Sequence, residues 1–238
     1  MTAMGFILLE GGAEFGGRMA DPDKQALTLA GGPATPINIV PAAAAPDNNH
    51  QRAGQNGVRW FHQLGATNIS VLPLIDSASA DDPEVAESLT KSKFIYLLGG
   101  FPRYLAQVLN HSRSWQAILT AYLSGAVIAG SSAGAMVLCE FYFDPISSQI
   151  AKGLNLVERI CVLPHHNSFG KDWTPHLKNQ LPDIILFGID EETGALYDAS
   201  QDNWRVYGKG NITLYHGDHV DKFGAGQEFI LKNAVRKF

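Results

Sequence analysis

Long hydrophobic runs are missing from this sequence. The apolar stretch from Ala126 to Cys139 is short and is interrupted by Gly and Ser, so it cannot span a bilayer. Cysteine is scarce: Cys139 and Cys161 are the two present, and they form no C-x-x-C pair, which excludes a disulfide framework. Each lies in an apolar stretch and reads as a buried free thiol. Basic clusters are also lacking. Lys and Arg number 18 against 23 Asp and Glu, for a net charge of -5, and no basic run stands out as a nucleic-acid footprint. The first ten residues carry no basic n-region, and their apolar run is too short for a signal peptide, so a soluble, cytoplasmic protein is expected. What is present is an ordinary globular balance, 45% hydrophobic and 17% charged. A chain of 238 residues can bury a core without metal or disulfide staples, and a single α/β domain over 1–238 is expected.

Short apolar runs alternate with helical patterns along the first half. Phe6–Leu9, Ile37–Val40, Ile69–Leu74, Phe94–Leu98 and Ala126–Ala129 read as strands. Residues 48–64 and Pro83–Thr90 read as helices, the second with Pro in its first turn. Trp115, Ile118, Leu119, Tyr122 and Leu123 recur at helical spacing, with Ser114 as the expected N-cap and Gly125 as the stop. Strands alternating with helices predict βαβ units, hence a mostly parallel sheet with helices on both faces. After about residue 184, Ile184–Gly188, Ala195–Asp198, Trp204–Tyr207, Ile212–Tyr215 and Phe229–Leu231 read as short antiparallel strands packed on that sheet. Ligands of such sheets bind at strand carboxyl ends. Gly11-Gly12, Gly99-Gly100 and Gly130–Ser132 all fall there, which predicts one shared cleft.

The strongest chemical signal is Gly130-Ser131-Ser132-Ala133-Gly134. It is a G-x-S-x-G pattern after an apolar strand and before a helical run, the context such an elbow needs. The small flanking residues let the chain turn sharply and thrust Ser132 outward. The N–H of Ala133, at a helix start, is a natural oxyanion donor. Gly100 could supply a second. A serine needs a base, and Val162-Leu163-Pro164-His165-His166 places two histidines near a strand end. Neighbours on extended chain point to opposite sides, so at most one faces Ser132. An orienting acid could come from Asp190, Glu191 or Glu192, or from Asp144. Gly11–Gly17 is neither a dinucleotide nor a Walker loop, and Glu14 would repel phosphate. His216-Gly217-Asp218-His219 reads as an exposed hairpin rather than a metal site.

Together these segments resemble the cyanophycinase and dipeptidase E group of serine peptidases, whose fold is akin to class I glutamine amidotransferases. Leu9–Glu14 is similar to the group's opening Gly-Gly-Ala-Glu, Leu98-Gly99-Gly100 to its oxyanion strand, and Gly130–Ala135 to its nucleophile elbow. Val162–His165 is similar to its histidine strand, and Gly188-Ile189-Asp190-Glu191 to its acid segment. The resemblance implies Ser132 as nucleophile, His165 as base, Glu191 as acid, and Gly100 and Ala133 as oxyanion donors. Asp144 would be the acid if dipeptidase E itself were the pattern. No cofactor or metal is implied. The expected partner is a small peptide substrate, with no nucleic acid or membrane, and a second copy of the chain at most.

Two segments depart from the group. Phe101-Pro102 follows the Gly-Gly where a polar residue is usual. Residues 167–173 contain no Arg, although aspartyl carboxylates are best held by Arg forks. Arg103 and Lys171 are the candidate substitutes for the missing Arg, and with Phe101 and His166 they are the expected substrate contacts. A hydrolase of other esters or amides on the same triad, or a non-catalytic binding protein of the same fold, are the rival readings.

Overall fold

The computed structural model describes residues 4–232 and 234–236. The elements run β1 (Phe6–Glu10), α1 (Ala20–Leu29), β2 (Ile37–Val40), α2 (His50–Gln63), β3 (Ile69–Val71), α3 (Ser77–Ala80), α4 (Pro83–Lys91), β4 (Phe94–Leu97), α5 (Pro102–Leu109), α6 (Arg113–Leu123), β5 (Val127–Ser131) and α7 (Ala133–Leu138). They continue with β6 (Cys139–Asp144), β7 (Gln149–Lys152), β8 (Val157–Leu163), α8 (Thr174–Gln180), β9 (Ile185–Ile189), β10 (Thr193–Asp198), β11 (Asn203–Gly208), β12 (Asn211–His216), β13 (His219–Gly224) and β14 (Glu228–Phe229).

The strands form two sheets. The larger has the order β14-β11-β10-β1-β5-β4-β2-β3, the smaller β13-β12-β9-β8-β6-β7. In the larger sheet β1, β5, β4, β2 and β3 pair in parallel, while β10 joins β1 antiparallel and is extended by β11 and β14. Residues of the parallel strands alternate between two cores. Ile7, Leu9, Ile95, Leu97 and Ile128 face one, whereas Leu8, Phe94, Tyr96, Val127 and Ala129 face the other. Burial on both faces is why these strands read as continuous apolar runs. The second core is covered by Ala26 and Leu27 of α1 and Phe61 of α2. The first is covered by α4 to α7 and by Ile160, Val162, Phe187 and Ile189 of the smaller sheet.

The expected parallel sheet with helices on both faces is present, with β10, β11 and β14 added antiparallel, but β9, β12 and β13 lie in a second, mixed sheet instead of on its edge. Strand β9 is the reason. Leu186 faces a third small core with Cys161, Leu163 and Leu177, and its neighbours Phe187 and Ile189 face the main one. Buried on both sides, it pairs in parallel with β8 after the α8 crossover and draws β12 and β13 with it. Cys139 and Cys161 are both buried free thiols. The α6 N-cap is Ser112, not Ser114: the Ser112 hydroxyl accepts from the Trp115 N–H at 3.1 Å, and Ser114 is wholly buried inside the helix. The His216–His219 segment is the turn of the β12–β13 hairpin. No helix among the described residues is long and apolar enough to cross a membrane.

Candidate active site

Strand β5 ends at Ser131, and the chain turns into α7 through Ser132 at φ 47° and ψ -107°. This is a strained conformation for a residue with a side chain. The turn is held by the Ser132 N–H, which donates to the Glu10 carbonyl at 3.0 Å. It also requires small neighbours: a Cβ on Gly134 would lie 2.2 Å from the Leu97 carbonyl oxygen. The result lifts the Ser132 hydroxyl above the carboxyl edge of the parallel sheet.

His165 follows β8 after Pro164. It sits at φ 50°, and its N–H donates to the Gly11 carbonyl at 2.7 Å. His166 then donates from its N–H to the Ile189 carbonyl, so the two imidazoles part company. Nε2 of His165 lies 3.1 Å from Oγ of Ser132, and Nδ1 lies 2.8 Å from Oε1 of Glu191. A carboxylate at Nδ1 favours the tautomer with the proton there, leaving the Nε2 lone pair to accept from the serine O–H. Phe169 stacks on the imidazole with centroids 4.8 Å apart.

The three consecutive acids after β9 separate by partner. Glu191 reaches His165, and its N–H donates to Oδ1 of Asn167 at 2.9 Å. Asp190 turns inward, accepting from the Asn211 N–H at 2.9 Å and lying 3.4 Å from Nδ1 of His166. Burial pushes the Asp190 carboxyl up, but bonds from His166 and Asn211 outweigh it and hold the group below its ordinary value. Glu192 accepts from the Arg18 N–H and lies 3.3 Å from Nζ of Lys209. Asp144 is committed elsewhere: it pairs with Arg103 at 3.0 Å and accepts from the Ser147 hydroxyl.

The glycine turns converge as the strand-end rule implies. Gly12 abuts the His165 ring, and Gly99 lies beside Ser132. Gly100 adopts φ 138°, and a Cβ there would lie 2.3 Å from the Ala43 carbonyl oxygen. The N–H groups of Gly100 and Ala133 find no acceptor among the described residues. The remaining expected contacts scatter. Phe101 leads into α5 and shares a cleft of about 300 Å³ with Arg103, whose guanidinium is taken up by Asp144. His166 is buried, with Nε2 at 3.0 Å from the Tyr215 hydroxyl, facing away from Ser132. Lys171 lines a separate cleft with His166 and Lys222.

Sequence reasoning missed an acidic cluster beneath the serine. Glu10 and Asp23 are wholly buried. Glu10 accepts from the Tyr96 hydroxyl, and Asp23 accepts from Nε1 of Trp60 at 2.8 Å. Among the described residues, Oε1 of Glu10 and Oδ1 of Asp23 have no hydrogen-bond partner. Burial and mutual repulsion push the Glu10 carboxyl well above its ordinary value, and burial raises Asp23 to about 7. Charged residues in a strand and a helix gave no signal of this, because they are brought together only by tertiary packing. Among the described residues, no group of three His, Cys, Asp or Glu side chains could hold a metal ion.

A family model for Peptidase family S51 matches residues 6–200. The chain belongs to that family. It is 27% identical over 190 residues to a cyanophycinase of Trichormus variabilis, covering 75% of this chain and 62% of that one. It therefore spans less than two thirds of that relative's length. A cyanophycinase of Geminocystis herdmanii is 27% identical over 232 residues, covering 93% of this chain and 84% of the relative. The crystal structure of a peptidase from an acI-B1 Actinobacterium superposes with a TM-score of 0.87 at 30% identity, covering 97% and 98% of the two chains.

Proposed function

We propose that this S51 chain is a serine peptidase that hydrolyses small peptides through Ser132, His165 and Glu191. The observation that carries this reading is the continuous relay of 3.1 Å and 2.8 Å from Ser132 through His165 to Glu191, beginning on a strained elbow. The parallel strands with the elbow at the end of β5 are the feature shared with class I glutamine amidotransferases.

In this reading His165 takes the proton of Ser132 as Oγ attacks the scissile carbonyl. The oxyanion is met by the unpaired N–H groups of Gly100 and Ala133, fixed before substrate arrives. His165 then gives its proton to the leaving amine, and an acyl-enzyme on Ser132 is left. Water, deprotonated by the same imidazole, attacks the ester, and the acid product departs as Ser132 regains its proton. Glu191 stabilises the imidazolium in both halves. The matched cyanophycinases name one candidate substrate. The absence of Arg from residues 167–173 and the capture of Arg103 by Asp144 favour other small peptides over cyanophycin.

The test is labelling by a fluorophosphonate probe. The native protein should be modified at one site and Ser132→Ala should not. Labelling that persists in the variant would dispose of Ser132 as the nucleophile.

A further inference from the structure

His166 and Asp190 take no part in the relay, yet both are buried, and they line a cleft of about 350 Å³ that the relay does not use. The smaller sheet supplies one wall of it. A Cβ on Gly188 would lie 2.5 Å from Cδ2 of His166, so the bare glycine lets the imidazole lie against β9. Gly188 pairs with Thr213 of β12, and Thr213 pairs with Lys222 of β13. Directly paired residues share a sheet face. Imidazole, hydroxyl and lysine stem therefore stand in one row. Tyr215, two residues on from Thr213, belongs to the same face. The chain after His166 adds Asn167, Ser168 and Lys171 to the lining.

The acceptors of this cleft are spent and its donors are not. Asp190 carries the negative charge of the lining, and both its oxygens are taken. Oδ1 lies 3.4 Å from Nδ1 of His166, and Oδ2 accepts from the Asn211 N–H at 2.9 Å and from its Nδ2 at 3.2 Å. With the imidazole proton drawn to Nδ1, Nε2 accepts from the Tyr215 O–H at 3.0 Å. The Ser168 hydroxyl donates to the His165 carbonyl at 3.0 Å. Lys171 and Lys222, by contrast, form no ion pair among the described residues. Asn167 spends Oδ1 on the Glu191 N–H, which leaves its Nδ2 to donate. Thr213 is 6% exposed, and among the described residues its hydroxyl has no partner. A hydroxyl so deeply placed ordinarily has one. Here the open side of the group is the cleft.

We propose that this cleft is a second ligand site, which binds a small dianionic oxyanion, a phosphoryl group or a dicarboxylate, through Lys171, Lys222 and the Thr213 hydroxyl. Two unpaired ammonium groups in one cleft repel each other, and an anion between them turns that repulsion into two charge-assisted hydrogen bonds. Thr213 and Asn167 add neutral donors. The volume falls in the range of small-molecule sites and leaves room for a body beyond the charged group. The His166 imidazole faces away from Ser132, so binding here makes no demand on the nucleophile.

The test is calorimetric titration of the native protein with inorganic phosphate and, separately, with succinate, each against chloride at a fixed ionic strength of about 0.15 M. At least one should bind saturably with a Kd of about 1 mM or tighter. Tighter phosphate marks a phosphoryl ligand, and tighter succinate a dicarboxylate. Lys222→Met should weaken that binding about 10-fold and Thr213→Val about 5-fold. Lys24→Met, an exposed lysine of α1, should leave it within about 2-fold, as screening removes a distant charge. Thermal melts confirm that each variant is folded. Ser132→Ala should bind as the native protein does. Loss of binding in Ser132→Ala would move the anion to the elbow and overturn the proposal. So would the absence of saturation with either anion, native affinity in both Lys222→Met and Thr213→Val, or equal weakening by Lys24→Met and Lys222→Met.

Discussion

Gly12 and the imidazole of His165 occupy adjoining space that leaves no room for a side chain between them. A Cβ at residue 12 would lie 2.2 Å from Cε1 of His165 and 2.7 Å from each ring nitrogen. Gly12 also sits at φ 112°, in the region that favours glycine. The opening glycine turn thus makes room for the His165 ring to stand beside Ser132.

Gly12→Ala should accordingly displace the imidazole from the relay. We expect kcat on a peptide substrate to fall by about 100-fold or more, since misplacement by about 1 Å costs that much. Backbone strain should add a stability loss of about 1–3 kcal/mol. Steady-state kinetics and thermal melts check both. Full activity in a folded Gly12→Ala protein would show that His165 does not need this position.

The choice of acid separates cleanly by mutation. Glu191→Gln should lower kcat by about 10⁴-fold, because the amide can no longer fix the imidazole tautomer or stabilise its charge. Asp144→Asn should leave kcat within about 2-fold, since Asp144 pairs with Arg103 and not with His165. It should instead lower stability by about 1–3 kcal/mol, as a buried carboxylate that accepts from Ser147 and Arg103 is weakened. Rates and denaturation of the two variants decide. The reverse pattern would reassign the acid.

The elbow, the glycine turns and the parallel strands were legible because local sequence dictates them. G-x-S-x-G has few conformations between a strand and a helix, and doubly buried strands must be apolar throughout. From spacing alone the histidines were legible only as a pair, since strand alternation says that at most one faces Ser132 and not which; His165 came from the family resemblance. Glu191 looked like one of three acids in a solvated turn. From spacing alone nothing separates it from its neighbours: Asn211 takes up Asp190, Lys209 takes up Glu192 and Asn167 holds the Glu191 backbone, all through partners distant in the chain. The second sheet was illegible for the same reason. Nothing in Ile185–Ile189 itself says that its partner is β8 rather than the edge of the first sheet. Helix α1 was missed because its polar residues leave only a weak apolar stripe; α5 carries a clear stripe in Leu105, Ala106, Val108 and Leu109 behind Pro102, and was within reach of the pattern.

Phe169 offers a test of how the base is held. It is 49% exposed and stacks on His165. The ring screens one face of the imidazole from water and limits its rotation. Phe169→Ala should lower kcat by about 10-fold through loss of orientation, with KM changed less. Because so little of its surface is core, the melting temperature should shift by no more than about 2 °C. A large stability loss with unchanged kcat would make the contact structural instead.

The buried pair of Glu10 and Asp23 predicts how stability depends on pH. In the folded protein Asp23 is raised from 3.8 to about 7, chiefly by burial, and Glu10 moves in the same direction. The folded state therefore holds more protons than the unfolded chain between those two values. Stability from this pair is full at the acid end of that window and is lost as pH rises toward about 7, after which the Asp23 contribution is level. Carboxyls held low, such as Asp190, have the opposite sign and act below their own ordinary range. Asp23→Asn removes one titrating group and keeps an acceptor for Nε1 of Trp60. Its stability relative to the native protein should rise with pH from about 4 to about 7, by at most about 1.4 kcal/mol per pH unit, and then hold steady. Urea unfolding of both proteins at about pH 4, 5, 6, 7 and 8 reads the difference. Parallel curves across that range would mean that Asp23 is already ionised in the folded protein, and that Trp60 and its surroundings carry a buried charge rather than a buried proton.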